Sequence, residues 1–506
     1  MMTYPLTLAA LLRRAERWFP SVELACGAER TCYAALAARA RRLARALLAS
    51  GLEPGDRVAT LLWNDLTHWE AYFGVPLAGG IVHPINLRLH TRQWARILRQ
   101  SGDRFAIIES SLLPRWEELD PDLRPPVVIV APEAYEAWLD AAPELPLPEL
   151  EENDGAAMGY TSGTTGEPKG VVYSHRALVL HALTLGLPDA LNLRQRDCIL
   201  PLVPMFHANA WGAPHAAAMV GCKQVLAGSS FDAETVLATL EREQVTRSAG
   251  VPMIWQGVLD LMERFPGKWK LHPELRVNLG GAAAPAELFR RFDRQRIEVN
   301  MGWGMTEMTP VGTMNPLLAP DGEPDFDQRR TRQGRPLPLV EGRTAPGGEF
   351  EVRGAWVADR YFGGVSPESF TADGWLRTGD IVAFDHDGLM QIVDRSKDLI
   401  RSGGEWISSV ALENALACHP SVREAAVVAV PHPRWQERPL AVVALRAGAE
   451  PDPAAWRKYL ETDFPAWQVP DRFELVDALP RTSTGKIDKR ALRARFASRH
   501  AADTGR

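Results

Sequence analysis

The N-terminal part of the chain alternates between helical and strand-like spacing of its apolar residues. Residues 31–49 repeat alanine, leucine and arginine with the period of a helix, and Gly51 follows as a helix-ending residue. Another helical stretch runs through 69–76. Compact apolar runs of strand length lie at 57–62, 79–85, 105–109 and 127–130. This alternation is typical of an α/β fold, in which helices cover a mostly parallel sheet.

The two ends of the chain add to this picture. Near the carboxyl end, strand-like runs at 425–431, 440–445 and 472–476 lie between helical segments, which predicts a small α+β unit. The chain has 506 residues, more than the ~250–300 at which a single core stops growing, so we expect several domains. Residues 1–14 predict an amphipathic first helix. They do not resemble a signal peptide, because their arginines follow the apolar run.

Composition excludes several classes of protein. The formal net charge is −6, with 57 basic and 63 acidic residues, so the chain has no bulk attraction for nucleic acid. No segment approaches the ~18 uninterrupted apolar residues of a membrane span. The five cysteines are scattered, without a CxxC pair or metal spacing, which predicts free thiols in a reducing cytoplasm.

Residues 160–170, with the sequence YTSGTTGEPKG, are too poor in apolar residues to form a core element, so they predict a loop. Glycine backbone, hydroxyl donors and the charge of Lys169 together make a cradle for a polyphosphate. The motif is not a Walker A sequence, because Lys169 follows Pro168 and precedes Gly170. Taken alone, the run could also be a flexible linker. A short strand and a helix capped by Ser174 are expected after it.

A second group of segments combines apolar and small residues. In the run 198–214, His207 is almost the only titratable residue, and a buried, hydrogen-bonded histidine is the default interpretation. The runs 245–252 and 277–285 each read as a strand that ends in glycine and small residues, where open α/β sheets bind ligands. Gly280 and its neighbours would let a flat base or an acyl chain lie on the backbone.

Residues 302–307, Gly-Trp-Gly-Met-Thr-Glu, form another candidate site. An aromatic ring between two glycines can stack on adenine, Thr306 can donate to an α-phosphate, and Glu307 can hold Mg²⁺. The tripeptide 378–380, Thr-Gly-Asp, would be a simple turn if it stood alone.

The segments 394–406 and 480–490 complete the series of motifs. Alone, they would be a charged linker and a polar loop. In this order, however, the motifs closely resemble those of the adenylate-forming superfamily, which comprises acyl-CoA synthetases, peptide-synthetase adenylation domains and firefly-type luciferases. The run 206–207, Trp303 and the stretch 402–410 are most similar to AMP-forming fatty-acyl-CoA synthetases and to their relatives that act on small thioether acids. Residues 314–351 are shorter than expected of close relatives.

The resemblance implies roles for individual residues. The implied catalytic residues are Lys486, Thr306, Glu307 and His207. The implied cofactor-binding residues are Thr161, Ser162, Gly163, Thr164, Thr165, Gly166, Lys169, Gly281, Ala282, Gly302, Trp303, Asp380, Arg395, Gly403 and Gly404. The implied acyl pocket comprises His207, Ala208, Asn209, Trp211, Gly212, Gly280, Gly304 and Trp406. Glu307 and Thr165 would hold Mg²⁺. The superfamily usually has tyrosine in place of Trp303, so stacking is kept and a phenolic hydrogen bond is lost.

The resemblance also implies domains and a mechanism. We expect a large N-terminal domain of helix-covered, mostly parallel sheets over 1–393, a hinge at 394–398 centred on Lys397, and a small mobile α+β domain over 399–506. A carboxylate that approaches the α-phosphate of ATP is repelled by about 4 kcal/mol at ~4 Å, so a cation is needed there. Lys486 would supply it, and coenzyme A would then attack the acyl-adenylate.

Several alternatives stay open. The expected acid is a medium- or long-chain fatty acid, and the alternatives are a small thioether, short-chain or aromatic acid. A peptide-synthetase domain would need an acidic residue for an amino group, which the run 206–214 lacks. A luciferase-like oxygenase and a non-catalytic nucleotide sensor are further alternatives. Lys169, Glu307 and Lys486 argue against the sensor. The expected partners are the acid and coenzyme A, with a possible homodimer and neither nucleic acid nor a membrane span.

Overall fold

The computed structural model describes residues 1–161, 168–318, 322–402, 405–482 and 485–503. The helices in these residues are α1 (Leu8–Trp18), α2 (Tyr33–Ala49), α3 (Leu66–Leu77), α4 (Thr91–Ser101), α5 (Leu113–Glu117), α6 (Glu133–Asp140), α7 (His175–Leu185), α8 (Ala213–Val220), α9 (Ala233–Glu243), α10 (Pro252–Arg264), α11 (Ala286–Arg294), α12 (Phe326–Arg329), α13 (Ser409–Ala417), α14 (Pro453–Leu460) and α15 (Lys489–Asp503). None of them combines the length and the apolar character that crossing a membrane needs.

The N-terminal sheet contains the strands that the apolar runs predict. Its strands are β3 (Arg57–Leu61), β4 (Ile81–Pro84), β5 (Phe105–Glu109), β6 (Val127–Ala131), β7 (Gly155–Tyr160) and β8 (Gly170–Ser174). Their order is β6-β5-β3-β4-β7-β8, and all neighbours are parallel except the hairpin β7–β8. The carboxyl ends of the parallel strands therefore share one edge, and the loop between β7 and β8 starts there.

The central sheet is also mostly parallel. Its strands are β1 (Glu23–Cys26), β2 (Glu29–Cys32), β9 (Cys198–Leu202), β10 (Lys223–Leu226), β11 (Arg247–Gly250), β12 (Arg276–Leu279), β13 (Glu298–Gly304), β14 (Val311–Met314) and β15 (Arg335–Pro336). Their order is β15-β14-β13-β12-β11-β9-β10-β1-β2, with antiparallel pairing at both edges. The helical prediction for 31–49 was wrong at its start, because Thr31 pairs with Leu24 in the β1–β2 hairpin.

A layer of helices joins these two sheets. Helices α3 and α7 contact β7, whereas α8 contacts β10 and packs against α7. Helix α1 is amphipathic as predicted, and it buries Leu8, Leu11, Leu12 and Ala15 against this layer. The largest core of the molecule lies here, and the helix-covered α/β fold predicted from the sequence is confirmed.

The rest of the chain forms two smaller sheets. The first contains β16 (Val340–Thr344), β17 (Glu349–Gly354), β18 (Leu376–Phe384) and β19 (Met390–Arg395), all antiparallel. The C-terminal sheet contains β20 (Ile400–Ser402), β21 (Glu405–Ile407), β22 (Val422–His432), β23 (Gln436–Leu445) and β24 (Arg472–Leu475), with α13 and α15 packed on β22. Residues 396–399 connect the two sheets. They overlap the predicted hinge at 394–398, and rotation there stays a prediction.

Candidate active site

The base of the predicted phosphate loop is closed by hydrogen bonds between Thr161 and Lys169. The Thr161 N–H donates to the carbonyl oxygen of Lys169 at 3.0 Å, and the Lys169 N–H donates to Thr161 Oγ1 at 3.3 Å. Ser174 caps the following helix as predicted, since its hydroxyl accepts from the Ala177 N–H at 3.1 Å. The remaining predicted phosphate-binding residues lie outside the described residues; they are Ser162, Gly163, Thr164, Thr165 and Gly166.

Glu307 and Lys169 both contact Tyr361. Glu307 is only 5% exposed, and the phenol of Tyr361 donates to its Oε1 at 2.5 Å. The Lys169 ammonium lies 4.8 Å from the centre of the Tyr361 ring. Burial raises the pKa of Glu307, while the Tyr361 hydrogen bond and the charges of Arg395 and Lys169 oppose that shift. The predicted acid therefore lies beside the phosphate loop. Sequence reasoning missed Tyr361, because no motif surrounds it.

Thr306 is held against the hairpin β7–β8. The phenol of Tyr173 on β8 donates to the Thr306 carbonyl oxygen at 2.8 Å. Only glycine fits at position 304, because a Cβ there would lie 1.9 Å from the Pro310 carbonyl oxygen. At Gly302, a Cβ would lie 3.0 Å from Met314. The turn that contains Thr306 and Glu307 is therefore hydrogen-bonded to the β7–β8 hairpin, which also carries the phosphate loop.

Asp380 connects the 302–307 motif with Arg395. Its carboxylate is 2% exposed, accepts from the Trp303 indole N–H at 2.9 Å, and pairs with Arg395 Nε at 2.9 Å. Trp303 is buried, and its ring meets Phe350 edge-on at 5.5 Å. The indole N–H is a donor that the prediction of stacking alone did not anticipate. These contacts join the predicted ribose residues to the predicted adenine-stacking residue.

Lys486 lies between β24 and α15, and its pKa is affected by the charges of the same group of residues. Its pKa is lowered to about 8, chiefly by burial and then by the charges of Arg395 and Lys397, while Asp380 and Glu307 act in the opposite direction. A Cβ on the adjacent Gly485 would lie 3.6 Å from the methyl of Met253 on α10. The loop that carries Lys486 is therefore packed against α10, and the charges of both acids act on its ammonium.

His207 stays neutral at pH 7. Burial, followed by the positive charges of Lys486 and Arg88, lowers the pKa of its imidazole to about 4. The charge of Lys486 therefore affects the pKa of His207, just as the two acids affect the pKa of Lys486. Arg88 is a further residue of this neighbourhood that sequence reasoning missed, since a single arginine after a strand carries no signal.

The backbone after His207 makes a left-handed turn. Residues 208–212 all have positive φ, from 42° at Ala208 to 76° at Gly212. Such a turn is strained for residues other than glycine, and strain of this kind concentrates at functional sites. It places the Trp211 ring against Gly280, where a Cβ would lie 3.0 Å from the ring, and near Gly281. Two residues of the predicted pocket, Trp211 and Gly280, therefore lie together, and Asn209 is buried.

Several other predicted residues are exposed. Trp406 on β21 is 54% exposed and stacks with Arg401, with 5.4 Å between guanidinium and ring. Ala282 and Lys397 are exposed. Gly403 and Gly404 lie outside the described residues. Roles of Trp406 and of the Gly403–Gly404 pair in the acyl or pantetheine path stay predictions, since they require the small domain to turn.

Comparisons with known proteins agree with this geometry. The AMP-binding enzyme family matches residues 11–362, and the AMP-binding enzyme C-terminal domain matches residues 411–486. The long-chain-fatty-acid–CoA ligase of Thermus thermophilus is 43% identical, over 98% of this chain and 96% of its own length. The 3-methylmercaptopropionyl-CoA ligase of Ruegeria pomeroyi is 41% identical, over 98% of both chains. The crystal structure of the anthranilate CoA ligase AuaEII with anthranoyl-AMP superimposes with a TM-score of 0.90 at 24% identity, covering 99% of both chains.

The fold and the convergence of Lys486, Glu307 and Asp380 define an adenylate-forming enzyme, and the chain belongs to the AMP-binding enzyme family. More particularly, it is an AMP-forming acyl-CoA ligase, an acid–thiol ligase that uses ATP, a carboxylic acid and coenzyme A. The predicted superfamily and reaction class are thereby confirmed.

Proposed function

We propose that this ligase activates a medium- or long-chain fatty acid, with Lys486 as the residue that brings acid and ATP together. The observation that carries the proposal is the docking of the Lys486 loop against Met253 on α10, where the charges of Glu307 and Asp380 raise the pKa of Lys486. A lysine at that point offsets the repulsion between a carboxylate beside His207 and the α-phosphate. The carboxylate oxygen bonds to the α-phosphorus, and pyrophosphate leaves.

The other residues bind and orient ATP and the acid. Lys169 and the loop from Thr161 hold the leaving phosphates, and Thr306 donates to the α-phosphate. Asp380 and Arg395 bind the ribose, and Trp303 with the backbone at Gly281 borders the adenine. Neutral His207 donates a hydrogen bond to the carboxylate without adding charge.

Glu307 also fits a Mg²⁺ ion. Among the described residues, no group of three or more His, Cys, Asp or Glu side chains is arranged to hold a metal. Mg²⁺, however, commonly takes one carboxylate together with phosphate oxygens. The burial that raises the pKa of Glu307 indicates a carboxylate that would gain from a cation. Glu307 would hold the ion, and Thr165 would be the predicted second ligand. The ion would supply positive charge that neutralises the leaving pyrophosphate.

The second half reaction is proposed to follow a turn of residues 399–506 about the 394–398 segment. Lys486 serves adenylation only, so the turn would remove it and bring the Gly403–Gly404 face and Trp406 to the acyl-adenylate. The free state of the cysteines supports a cytoplasmic location. A homodimer stays a prediction.

Two features support a fatty acid. The pocket edge consists of the small or apolar residues Ala208, Trp211 and Gly280, and the Thermus thermophilus relative is a long-chain-fatty-acid–CoA ligase. A small thioether acid is the second candidate, because the Ruegeria pomeroyi relative is a 3-methylmercaptopropionyl-CoA ligase.

Formation of AMP from a series of unbranched acids, from acetate to octadecanoate, tests this proposal. Each acid is assayed with and without coenzyme A, and 3-methylmercaptopropionate and alanine are included. We expect kcat/KM to rise with chain length beyond butanoate. A maximum at the thioether acid would support the second candidate, and a maximum at alanine would contradict both.

A further inference from the structure

Asp103 orients the buried imidazole of His83 inside the N-terminal sheet. His83 lies on β4, is 0% exposed, and its Nδ1 is 2.9 Å from Asp103 Oδ1. The Ser101 hydroxyl donates to Oδ2 of the same carboxylate at 2.5 Å. Because the carboxylate accepts the proton on Nδ1, a neutral ring carries its lone pair on Nε2.

His83 lines a cavity that it shares with residues of the active site. Nε2 of His83 is buried and has no hydrogen-bond partner in the part of the chain that the structure describes. A buried ring nitrogen without a partner can still accept a hydrogen bond or a proton. The cavity that His83 lines is also lined by Thr161, at the base of the phosphate loop, and by His207.

The thioester-forming step needs a proton acceptor in this space. A free thiol has a pKa of about 8.5, so only a few per cent is thiolate at neutral pH. His207 is a poor acceptor, because burial holds its pKa at about 4. Of the histidines that the structure describes, two have a carboxylate oxygen within 4 Å of a ring nitrogen. His386 lies at the surface beside Asp387, whereas His83 is buried beside Asp103.

We propose that His83, oriented by Asp103, accepts the thiol proton of coenzyme A. The S–H bond breaks and its proton moves to Nε2, while the sulfur bonds to the acyl carbonyl carbon. The bond from that carbon to the phosphate oxygen breaks, and AMP leaves with the electron pair. The imidazolium returns its proton to solvent after product release. This inference rests on the proposed position of the acyl carbonyl beside His207.

The His83→Gln variant separates the two half reactions. We expect thioester formation from supplied acyl-adenylate and coenzyme A to fall about a hundredfold, with pyrophosphate exchange unchanged within about threefold. Hydroxylamine, which attacks without first losing a proton, should trap the acyl-adenylate at the wild-type rate. His68→Gln is the matched control, because His68 is equally buried but has both ring nitrogens bonded, to Thr60 at 3.0 Å and to the Trp63 carbonyl at 2.9 Å.

A second variant covers the case in which His83→Gln does not fold. Asp103→Asn keeps the shape and favours the ring tautomer with its proton on Nε2, so the same selective loss of thioester formation is expected. Equal loss of both half reactions, loss of the hydroxylamine reaction, or no loss in either variant would overturn the inference. Failure of the wild-type enzyme to exchange pyrophosphate with any acid would instead count against the proposed function.

Discussion

The indole N–H of Trp303 donates a hydrogen bond to Asp380 Oδ2 across 2.9 Å. Arg395 meets the other carboxylate oxygen at 2.9 Å, so an indole and a cation fix Asp380 from two sides. Each carboxylate oxygen can accept more than one hydrogen bond, which leaves capacity for both ribose hydroxyls. Trp303, at a position where the resemblance predicts tyrosine, therefore provides a buried donor as well as a flat ring.

Trp303→Phe should weaken ATP binding. The change keeps an aromatic ring and removes the donor to Asp380, and a hydrogen bond to a charged group is worth about 1.5–3 kcal/mol. We expect the KM for ATP in pyrophosphate exchange to rise about tenfold, with a smaller effect on the KM for the acid. An unchanged KM for ATP would show that Arg395 alone positions the carboxylate.

Lys486→Ala should abolish adenylation selectively. Loss of the cation restores repulsion of about 4 kcal/mol between the two anions, which corresponds to roughly three powers of ten in rate. Pyrophosphate release is measured beside thioester formation from supplied acyl-adenylate, which should persist. Lys458→Ala, at an exposed position of the same small domain, serves as the control. Equal loss of both half reactions would contradict the alternation of the small domain.

Adenylation should lose rate as the pH rises through about 8. The pKa of Lys486 is lowered to about 8, so the ammonium that the reaction needs is present below that pH and is lost above it. In Lys486→Arg, the guanidinium stays charged at every accessible pH. The falling limb of the rate profile should therefore disappear in that variant, even if its rate is lower. A wild-type profile that stays flat to pH 10 would contradict this assignment.

Gly280→Ala should narrow the acyl pocket. A Cβ at this position would lie 3.0 Å from the Trp211 ring, so the ring has to move. We expect kcat/KM for long acids to fall relative to that for short acids, by about tenfold if the shift costs about 1.4 kcal/mol. Gly257→Ala on α10 is the control, because a Cβ there has no neighbour closer than 3.7 Å. An equal fall in kcat/KM for all acids would show that Gly280 does not line the acyl pocket.

Sequence alone was sufficient for features that depend on residues close together in the chain. The spacing of apolar residues predicted β3, β4, β5 and β6 of the N-terminal sheet but not β7. Ser174 was identified as the cap of α7 because capping involves the next three residues. The hairpin loop closed by Thr161 and Lys169 followed from local composition. The order of the motifs was likewise enough to identify the superfamily, since it needs no coordinates.

Only the tertiary structure decided which distant side chains meet and what burial does to them. Tyr361 bonds to Glu307 across 54 positions, and Trp303 bonds to Asp380 across 77. The lowered pKa of Lys486 and the pairing of His83 with Asp103 arise from packing between separate elements. Such contacts depend on how sheets and domains dock, and the cost of burying a charge depends on the finished environment. Neither quantity is encoded in any short stretch of sequence.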